Sequence, residues 1–380
     1  MYTTGTVRTR HPRNTLAKIT PHMPALGVAC CQNITRIDRL DIPVFVAATP
    51  LNSIMQNAWG KGCTTDAAQT AALMEAVERS AIGDKHPYER IASYQELQNE
   101  GNSILAATEL PTSHQGVYHN KKRQLPWIPM YDFLQHTTSW VPASSTYYTQ
   151  PMLAAFTTIG LSGGNSPEEA MLHGIFEIIE RHTICSMFTN GKLTLAESGG
   201  RRILLTGGMN STVAEILSKL KAASIDLTLL SIPCSVESIS VYWAVLYDAK
   251  TPHPHIAVSM GYGAHTSPKI AILRAITAAA QSRIRFLHGS NESMGKDVAS
   301  PPSKKAIDAS MRYFKTLPEG IALDSIPQHR VMNITDELAA VFKNIRNAGF
   351  PSVLSLEIPQ KLPDISVRKT LIPKTSINPF

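Results

Sequence analysis

The sequence has no Asp or Glu before Asp38, no CxxC cysteine pair and no apolar run long enough to cross a bilayer. The five cysteines, Cys30, Cys31, Cys63, Cys185 and Cys234, are odd in number. That speaks against a disulfide framework and a zinc ribbon, and makes a reducing, cytoplasmic setting the expectation. A membrane helix needs about 20 consecutive apolar residues. The acid-free start carries Arg8, Arg10, Arg13, Lys18 and Arg36. Transit peptides share that composition, but a flexible basic arm over residues 1–24 is the simpler expectation. A secretory signal would need an apolar stretch soon after those basic residues, and none is there. Runs of Lys and Arg are also missing. The net charge of +7 therefore favours anionic ligands such as nucleotides or phosphate over nucleic acid. With 380 residues, one large domain or two modest ones can bury a substantial core.

What is present centres on Asn165 to Arg181. Ser166 is a plausible N-cap and Pro167 suits the first helical turn. With Glu169 at zero on an ideal helix, His173 lies at about 40°, Glu177 at about 80° and Glu180 at about 20°. Three carboxylates and an imidazole thus share one stripe, while Met171, Ile175, Ile178 and Ile179 take much of the rest. Either the stripe is a solvated acidic face, or a cation sits on it. Grouped carboxylates without Lys at i+4 suit a hard cation such as Mg2+, which keeps waters and bridges to phosphate.

Two further helices carry related patterns. Thr64-Thr65-Asp66 signals a helix over about 67–82, with Glu75 and Glu78 about 60° apart. Glu75 and Arg79 also have the spacing of an i,i+4 ion pair. A third helix, over about 268–288, brings Arg274, Gln281 and Arg285 within about 40° of one another. Arg suits phosphate, and a solvated basic face is the alternative. Before these helices stand Gly60-Lys61-Gly62, the glycine- and serine-rich stretch 156–165, and Gly261 to His265. The last two read as loops, and backbone amides of the 156–165 loop could hold anionic oxygens. Strands are expected over 41–49, 127–133, 139–143, 225–232, 239–247, 352–358 and 367–373. Further helices are expected over 94–99, 211–223, 304–315 and 335–347, with Pro301-Pro302 as a break. His253 and His255 lack further metal ligands nearby in sequence.

Taken in order, ALMEAVER at 72–79, the pattern GN-x3-E-x7-E-x2-ER from Gly164 to Arg181, and RAITAAAQSR at 274–283 resemble the YcaO family. DIPVFVAATP, the GKG and GYGAH stretches and NAGFPSVLSLEIP extend the resemblance over roughly residues 25–375, leaving 376–380 as a tail. It implies an α/β (α+β) YcaO-like fold, with mixed sheets flanked by long helices and the nucleotide between the three motif helices. It also implies an enzyme, dependent on ATP and Mg2+, that activates a peptide-bond carbonyl to give a thioamide or an azoline. Carried across by position, Glu75, Glu78, Glu169, Glu177 and Glu180 would be the metal carboxylates. Asn165 would lie near the phosphates or metal. Arg79, Arg181, Arg274, Gln281 and Arg283 would hold nucleotide or those acids, although Arg283 lies almost opposite Arg274 on an ideal helix.

Three departures stand out: Ala72 where the family has Ser, Ala278 where it often has Glu, and Asn291-Glu292-Ser293 where it has Arg-Asp-Asp. They leave open a degenerate homologue that serves as a peptide-binding scaffold or accessory factor. The end Ser376-Ile377-Asn378-Pro379-Phe380 lacks the Pro-x-Pro-x-Pro tail of azoline-forming members, which leans towards thioamidation. Little chain precedes the first strand. The expected partners are therefore a peptide or protein substrate, a separate leader-binding or TfuA-type sulfur-delivery protein, and a second copy in a homodimer. Neither nucleic acid nor a membrane is expected.

Overall fold

The computed structural model describes all residues except 2–3, 52–53, 83–87, 106–108, 111–119, 148–156, 190–191, 207–210, 290–302, 328–332 and 378–380. The expectations at Phe156, Asn291-Glu292-Ser293, Pro301-Pro302 and Asn378-Pro379-Phe380 lie outside the described residues. The chain opens with a helix, α1 (Pro12–Ile19), followed by an antiparallel sheet of β1 (Cys30–Asn33), β2 (Val44–Leu51) and β3 (Ile54–Lys61). Helix α2 (Thr65–Ala81) leaves that sheet. Next come β4 (Arg90–Ser93), the short helix α3 (Tyr94–Asn99), β5 (Gln124–Asp132), β6 (Thr137–Pro142) and β7 (Leu161–Gly164). Helix α4 (Pro167–Ser186) follows, then a small hairpin of β8 (Phe188–Thr189) and β9 (Lys192–Leu193).

The second half supplies β10 (Arg201–Leu204), α5 (Ser211–Ala222), β11 (Asp226–Ile232), β12 (Ser240–Tyr247), the short α6 (Pro254–Ala257) and β13 (Val258–His265). It continues with α7 (Pro268–Leu287), α8 (Lys304–Thr316), β14 (Glu319–Ala322), α9 (Ile334–Asn347), β15 (Leu354–Ile358) and β16 (Ser366–Leu371). One sheet has the order β13-β12-β11-β10-β14, with only the β10–β14 pair parallel. The other has the order β4-β5-β15-β16-β7, with β6 beside β5, so strands from the end of the chain complete a sheet begun early. This is the mixed-sheet α/β architecture expected.

The five-stranded sheet is covered on both faces, and strand alternation sorts the covers. Val241, Trp243 and Val245 of β12 join the core shared with α4, α8 and α9. Their neighbours Tyr242, Ala244 and Leu246 join the core shared with α5 and α7. An uninterrupted apolar strand is what burial of both faces requires. A separate core lies between α2 and the six-stranded sheet. Among the described residues, no helix is long and apolar enough to cross a membrane.

Several boundaries differ from the sequence-based expectation. The N-terminal arm is not an unstructured appendage: His11 caps α1, and residues 4–12 reach over the site described below. Gly261 to His265 is the end of strand β13 rather than a loop, and Leu161 to Gly164 is a buried strand paired with β16. The glycines are there because a helix lies against them. A Cβ on Gly263 would sit 2.1 Å from the Ala271 carbonyl oxygen, so α7 packs this close to β13 only over bare backbone.

Candidate functional site

Three strand-to-helix units build the site, with α2 leaving β3, α4 leaving β7 and α7 leaving β13. Local chemistry starts two of these helices. The Thr64 hydroxyl accepts from the Ala67 amide at 3.2 Å, and the Ser166 hydroxyl accepts from the Glu169 amide at 3.2 Å. Pro167 and Pro268 occupy first-turn positions of α4 and α7. One face of each helix meets the others around a cavity of about 380 Å³.

The cavity is lined by Glu75, Glu78 and Arg79 of α2, and by Glu169, His173, Glu177, Glu180 and Arg181 of α4. Arg274, Thr277, Gln281 and Arg285 of α7 line it too, as does Asn165. Ten of the eleven residues expected from sequence therefore share one cavity. Arg283 does not, and that expectation is corrected. It points the other way from α7 and is buried between two carboxylates, Asp38 at 2.8 Å and Asp248 at 2.7 Å, with the Ile256 carbonyl also 2.8 Å away.

The acids are not equivalent. Glu169 is saturated: one oxygen accepts from the Thr9 amide at 2.8 Å and the Thr9 hydroxyl at 2.7 Å. The other accepts from Asn165 at 3.0 Å and Arg8 at 3.4 Å. Asn165 is itself held by the Thr15 hydroxyl at 2.8 Å. Glu75 accepts from the Trp59 amide and pairs with Arg79. Among the described residues Glu78 takes one hydrogen bond, from the Gly163 amide at 2.5 Å, and Glu177 takes one from the Gly160 amide at 3.1 Å. Gly163 has no side chain to keep α2 away; a Cβ there would lie 2.3 Å from Met74 Cε and 3.1 Å from Glu78 Oε1.

Burial and the nearby Glu75 push the Glu78 carboxyl up to about 8, and burial raises Glu177 as well. Burial pulls Lys61 down to about 8 against the pull of Glu180. His173 is held well below its ordinary value by burial and by Arg8, whose guanidinium lies 3.1 Å from its Nδ1. The basic groups are also incompletely satisfied. Among the described residues the buried Nε atoms of Arg79, Arg181 and Arg274 have no hydrogen-bond acceptor. Carboxylates short of positive charge and guanidinium groups short of an acceptor thus face one space, which suits a cation-bound polyanion.

Among the described residues, no group of three or more His, Cys, Asp or Glu side chains is arranged as a metal site on its own. Mg2+ does not need one, because it takes one or two carboxylates and completes its shell with water and phosphate oxygens. Glu78 and Glu177 fit that role. Glu169 and Glu75 are already engaged by protein donors.

Sequence reasoning left Arg8, Arg10, Lys61, His173 and Arg285 out of its site, although all line the cavity. His173 and Arg285 sat on the right stripes by helical arithmetic. Lys61 stood in a recognised stretch without an assigned role. Nothing in the local pattern around Arg8 and Arg10 marked them.

One consequence is measurable. A carboxyl whose folded value is raised contributes stability at low pH and loses it as pH rises through that value. Glu78 thus removes stability up to about pH 8, while the depressed His173 acts in the opposite sense below about pH 6.5, so the melting temperature of Glu78→Gln should fall less steeply than that of the wild type between about pH 6.5 and about pH 8. Equal slopes for the two proteins would show that Glu78 is not the strained group.

Comparison with known proteins gives the family and the fold. The model of the family described as YcaO cyclodehydratase, ATP- and Mg2+-binding, matches residues 59–376. An uncharacterized protein of Methanothermobacter thermautotrophicus is 27% identical over 376 residues, covering 95% of this chain and 93% of its own length. A Rhizobium leguminosarum bv. trifolii protein, named only as lying in the tfuA 3′ region, is 27% identical over 385 residues, covering 97% and 88%. Among solved structures, YcaO from Methanopyrus kandleri bound with AMPPCP and Mg2+ superposes with a TM-score of 0.75 at 22% identity, covering 100% of this chain and 94% of that one. A heterocyclase in complex with substrate and cofactor also gives 0.75, at 19% identity over 97% of this chain and 53% of that one. With a family match spanning most of its length and the same fold, the chain belongs to the YcaO family.

Proposed function

We propose that the cavity binds Mg2+–ATP and that the chain uses it to activate a peptide-bond carbonyl in a ribosomally made peptide or protein. The observation that carries this reading is the shared cavity of Glu78 and Glu177, short of a cation, and Arg79, Arg181 and Arg274, short of acceptors. When bound, ATP supplies the phosphoryl group that makes the amide oxygen a leaving group, and Mg2+ offsets the phosphate charge. Around them, Glu78 and Glu177 hold the metal side, and Glu180 adds negative charge beside Lys61 and Arg274. Arg181 and Arg274 hold phosphate oxygens, while Gln281 and Arg285 continue the same face of α7. Arg8 and Arg10 bring the N-terminal segment to the same cavity and add positive charge to it.

The product we favour is a thioamide, with sulfur from an external donor delivered by a TfuA-type partner. One observation supports this: a relative is named as lying in a tfuA 3′ region. An azoline, formed when a Cys, Ser or Thr side chain of the substrate adds to the amide, is the second reading, supported by the likeness to heterocyclases. A scaffold role is less well supported. Ala72 is buried where α2 crosses β3, so that departure removes no group from the cavity; Ala278 lies on the stripe of Arg274 and Gln281, and what opposes the scaffold role is the set of acids that α2 and α4 keep in the cavity. A cytoplasmic homodimer goes with this reading, and light scattering in solution checks the assembly.

Calorimetric titration with AMPPCP, with and without Mg2+, tests the core of the proposal. Micromolar binding that requires Mg2+ is expected. Absence of binding under both conditions, even with a candidate partner added, would transfer the argument to the scaffold role. Mass spectrometry of the substrate then separates the products: oxygen-to-sulfur exchange adds mass, and ring formation removes one water.

A further inference from the structure

Lys369 belongs to none of the motifs, yet its side chain is almost completely buried in β16, one strand away from the site. Its neighbour Arg368 faces the other side of the sheet, over the Phe133 ring. The Lys369 Nζ donates to the carbonyl oxygens of Thr157 and Ile159, each at 2.8 Å. These two carbonyls belong to the tight turn that precedes β7. The Ile159 amide donates to the Thr157 hydroxyl at 3.1 Å, the Leu161 amide to the Thr158 carbonyl at 2.8 Å, and the Thr370 amide to the Gly160 carbonyl at 2.8 Å. Gly160 has φ +79°, and a Cβ there would lie 2.3 Å from the Thr370 carbonyl oxygen, so the turn is held tightly against β16. The outer side of the turn faces the cavity through Thr158, and the Gly160 amide is the donor to Glu177.

We propose that Lys369 is a positioning residue for Glu177: its buried ammonium fixes the Thr157–Gly160 turn, and the turn's Gly160 amide aims the carboxylate into the cavity. Burying an ammonium in a sheet is costly, and an apolar residue would fill the same space. The ammonium has a use here because it ties the Thr157 and Ile159 carbonyls to β16 and so fixes the backbone that presents the Gly160 amide to Glu177. The arrangement has the form of an outer-shell support for a metal-binding carboxylate, carried by backbone instead of a direct contact. It rests on the nucleotide reading above only in assigning Glu177 to the metal.

The test compares wild type, Lys369→Met, Glu177→Gln and the double variant, by titration with AMPPCP with and without Mg2+. Hydrogen exchange over residues 157–164 is followed in the same proteins without nucleotide. Lys369→Met is expected to weaken Mg2+-dependent binding about 10- to 100-fold, leave Mg2+-free binding unchanged and speed exchange in the turn. The penalty should vanish in the Glu177→Gln background, which a general loss of packing would not produce. Wild-type affinity and exchange in Lys369→Met would overturn the proposal, and so would an equal penalty in both backgrounds. If wild type itself bound no AMPPCP, the nucleotide reading would fall. The exchange data would still decide whether Lys369 holds the turn: faster exchange supports the hold, and unchanged exchange refutes it. Should Lys369→Met not fold, Lys369→Gln, which keeps an N–H donor but removes the charge, is read in the same way.

Discussion

Glu177→Ala is expected to abolish Mg2+-dependent ATP binding, weakening it by more than about 100-fold, because loss of a metal's own ligand exceeds the cost of losing an outer-shell partner. Among the described residues Glu177 takes a hydrogen bond only from the Gly160 amide, on one oxygen, which leaves the other open to a cation. The fold should survive, because the alanine removes a strained carboxylate and leaves Ile175, Ile178 and Ile179 in the core. Glu169→Ala is expected to behave differently. Its oxygens accept from Thr9, Arg8 and Asn165, so its loss should first release the N-terminal segment, seen as faster proteolysis ahead of α1. A folded Glu177→Ala protein that bound Mg2+–ATP as tightly as wild type would remove the carboxylate from the site. Equal protection of the N-terminus in Glu169→Ala would remove the latch.

Arg283→Leu is expected to cost about 3–5 kcal/mol of stability, the usual penalty for leaving buried charge uncompensated. The guanidinium and both partner carboxylates are almost fully buried, with side-chain exposure of 2% for Arg283, 2% for Asp38 and 0% for Asp248. Burial alone would raise Asp248, but hydrogen bonds from Arg39 and Arg283 and their charges hold it below the usual carboxylate range. Denaturant unfolding measures the loss. AMPPCP affinity of the folded variant should match wild type, because Arg283 faces away from the cavity. A cost below about 1 kcal/mol would mean that the triad contributes only what a surface pair does. A selective loss of nucleotide binding would return Arg283 to the site.

The two arginines at the ends of the RAITAAAQSR stretch show how far a motif reaches before geometry has to decide. Arg274 and Arg283 are nine positions apart, which on a helix puts them on nearly opposite faces. Helical arithmetic grouped Arg274 with Gln281 and Arg285, and those three do line the cavity together. The resemblance grouped Arg274 with Arg283, and the structure gives Arg283 to a buried ion network instead. The glycine-rich stretches show the converse. Gly163, Gly164, Gly261 and Gly263 read as loops because glycine favours turns, yet all four lie in strands. Their lack of a side chain serves the close crossing of a helix that is not visible in the strand's own sequence.

The sequence by itself determined the three motif helices, their starts and the faces they present, together with the family and the nucleotide chemistry it implies. The helices and their faces follow from caps and from a 3.6-residue period, both of which act over a few neighbouring positions, whereas the family and its chemistry follow from the resemblance of the three motifs. Only the tertiary structure decided which acids are free to hold a cation. Glu169 is satisfied by Thr9 from 160 positions away, Arg283 is claimed by Asp38 from 245 positions away, and the turn that aims Glu177 is fixed by Lys369 from 212 and 210 positions away. Hydrogen bonds and charge act through space, so a carboxylate's partners are set by whatever segment the fold lays beside it, and no periodicity along the chain records that.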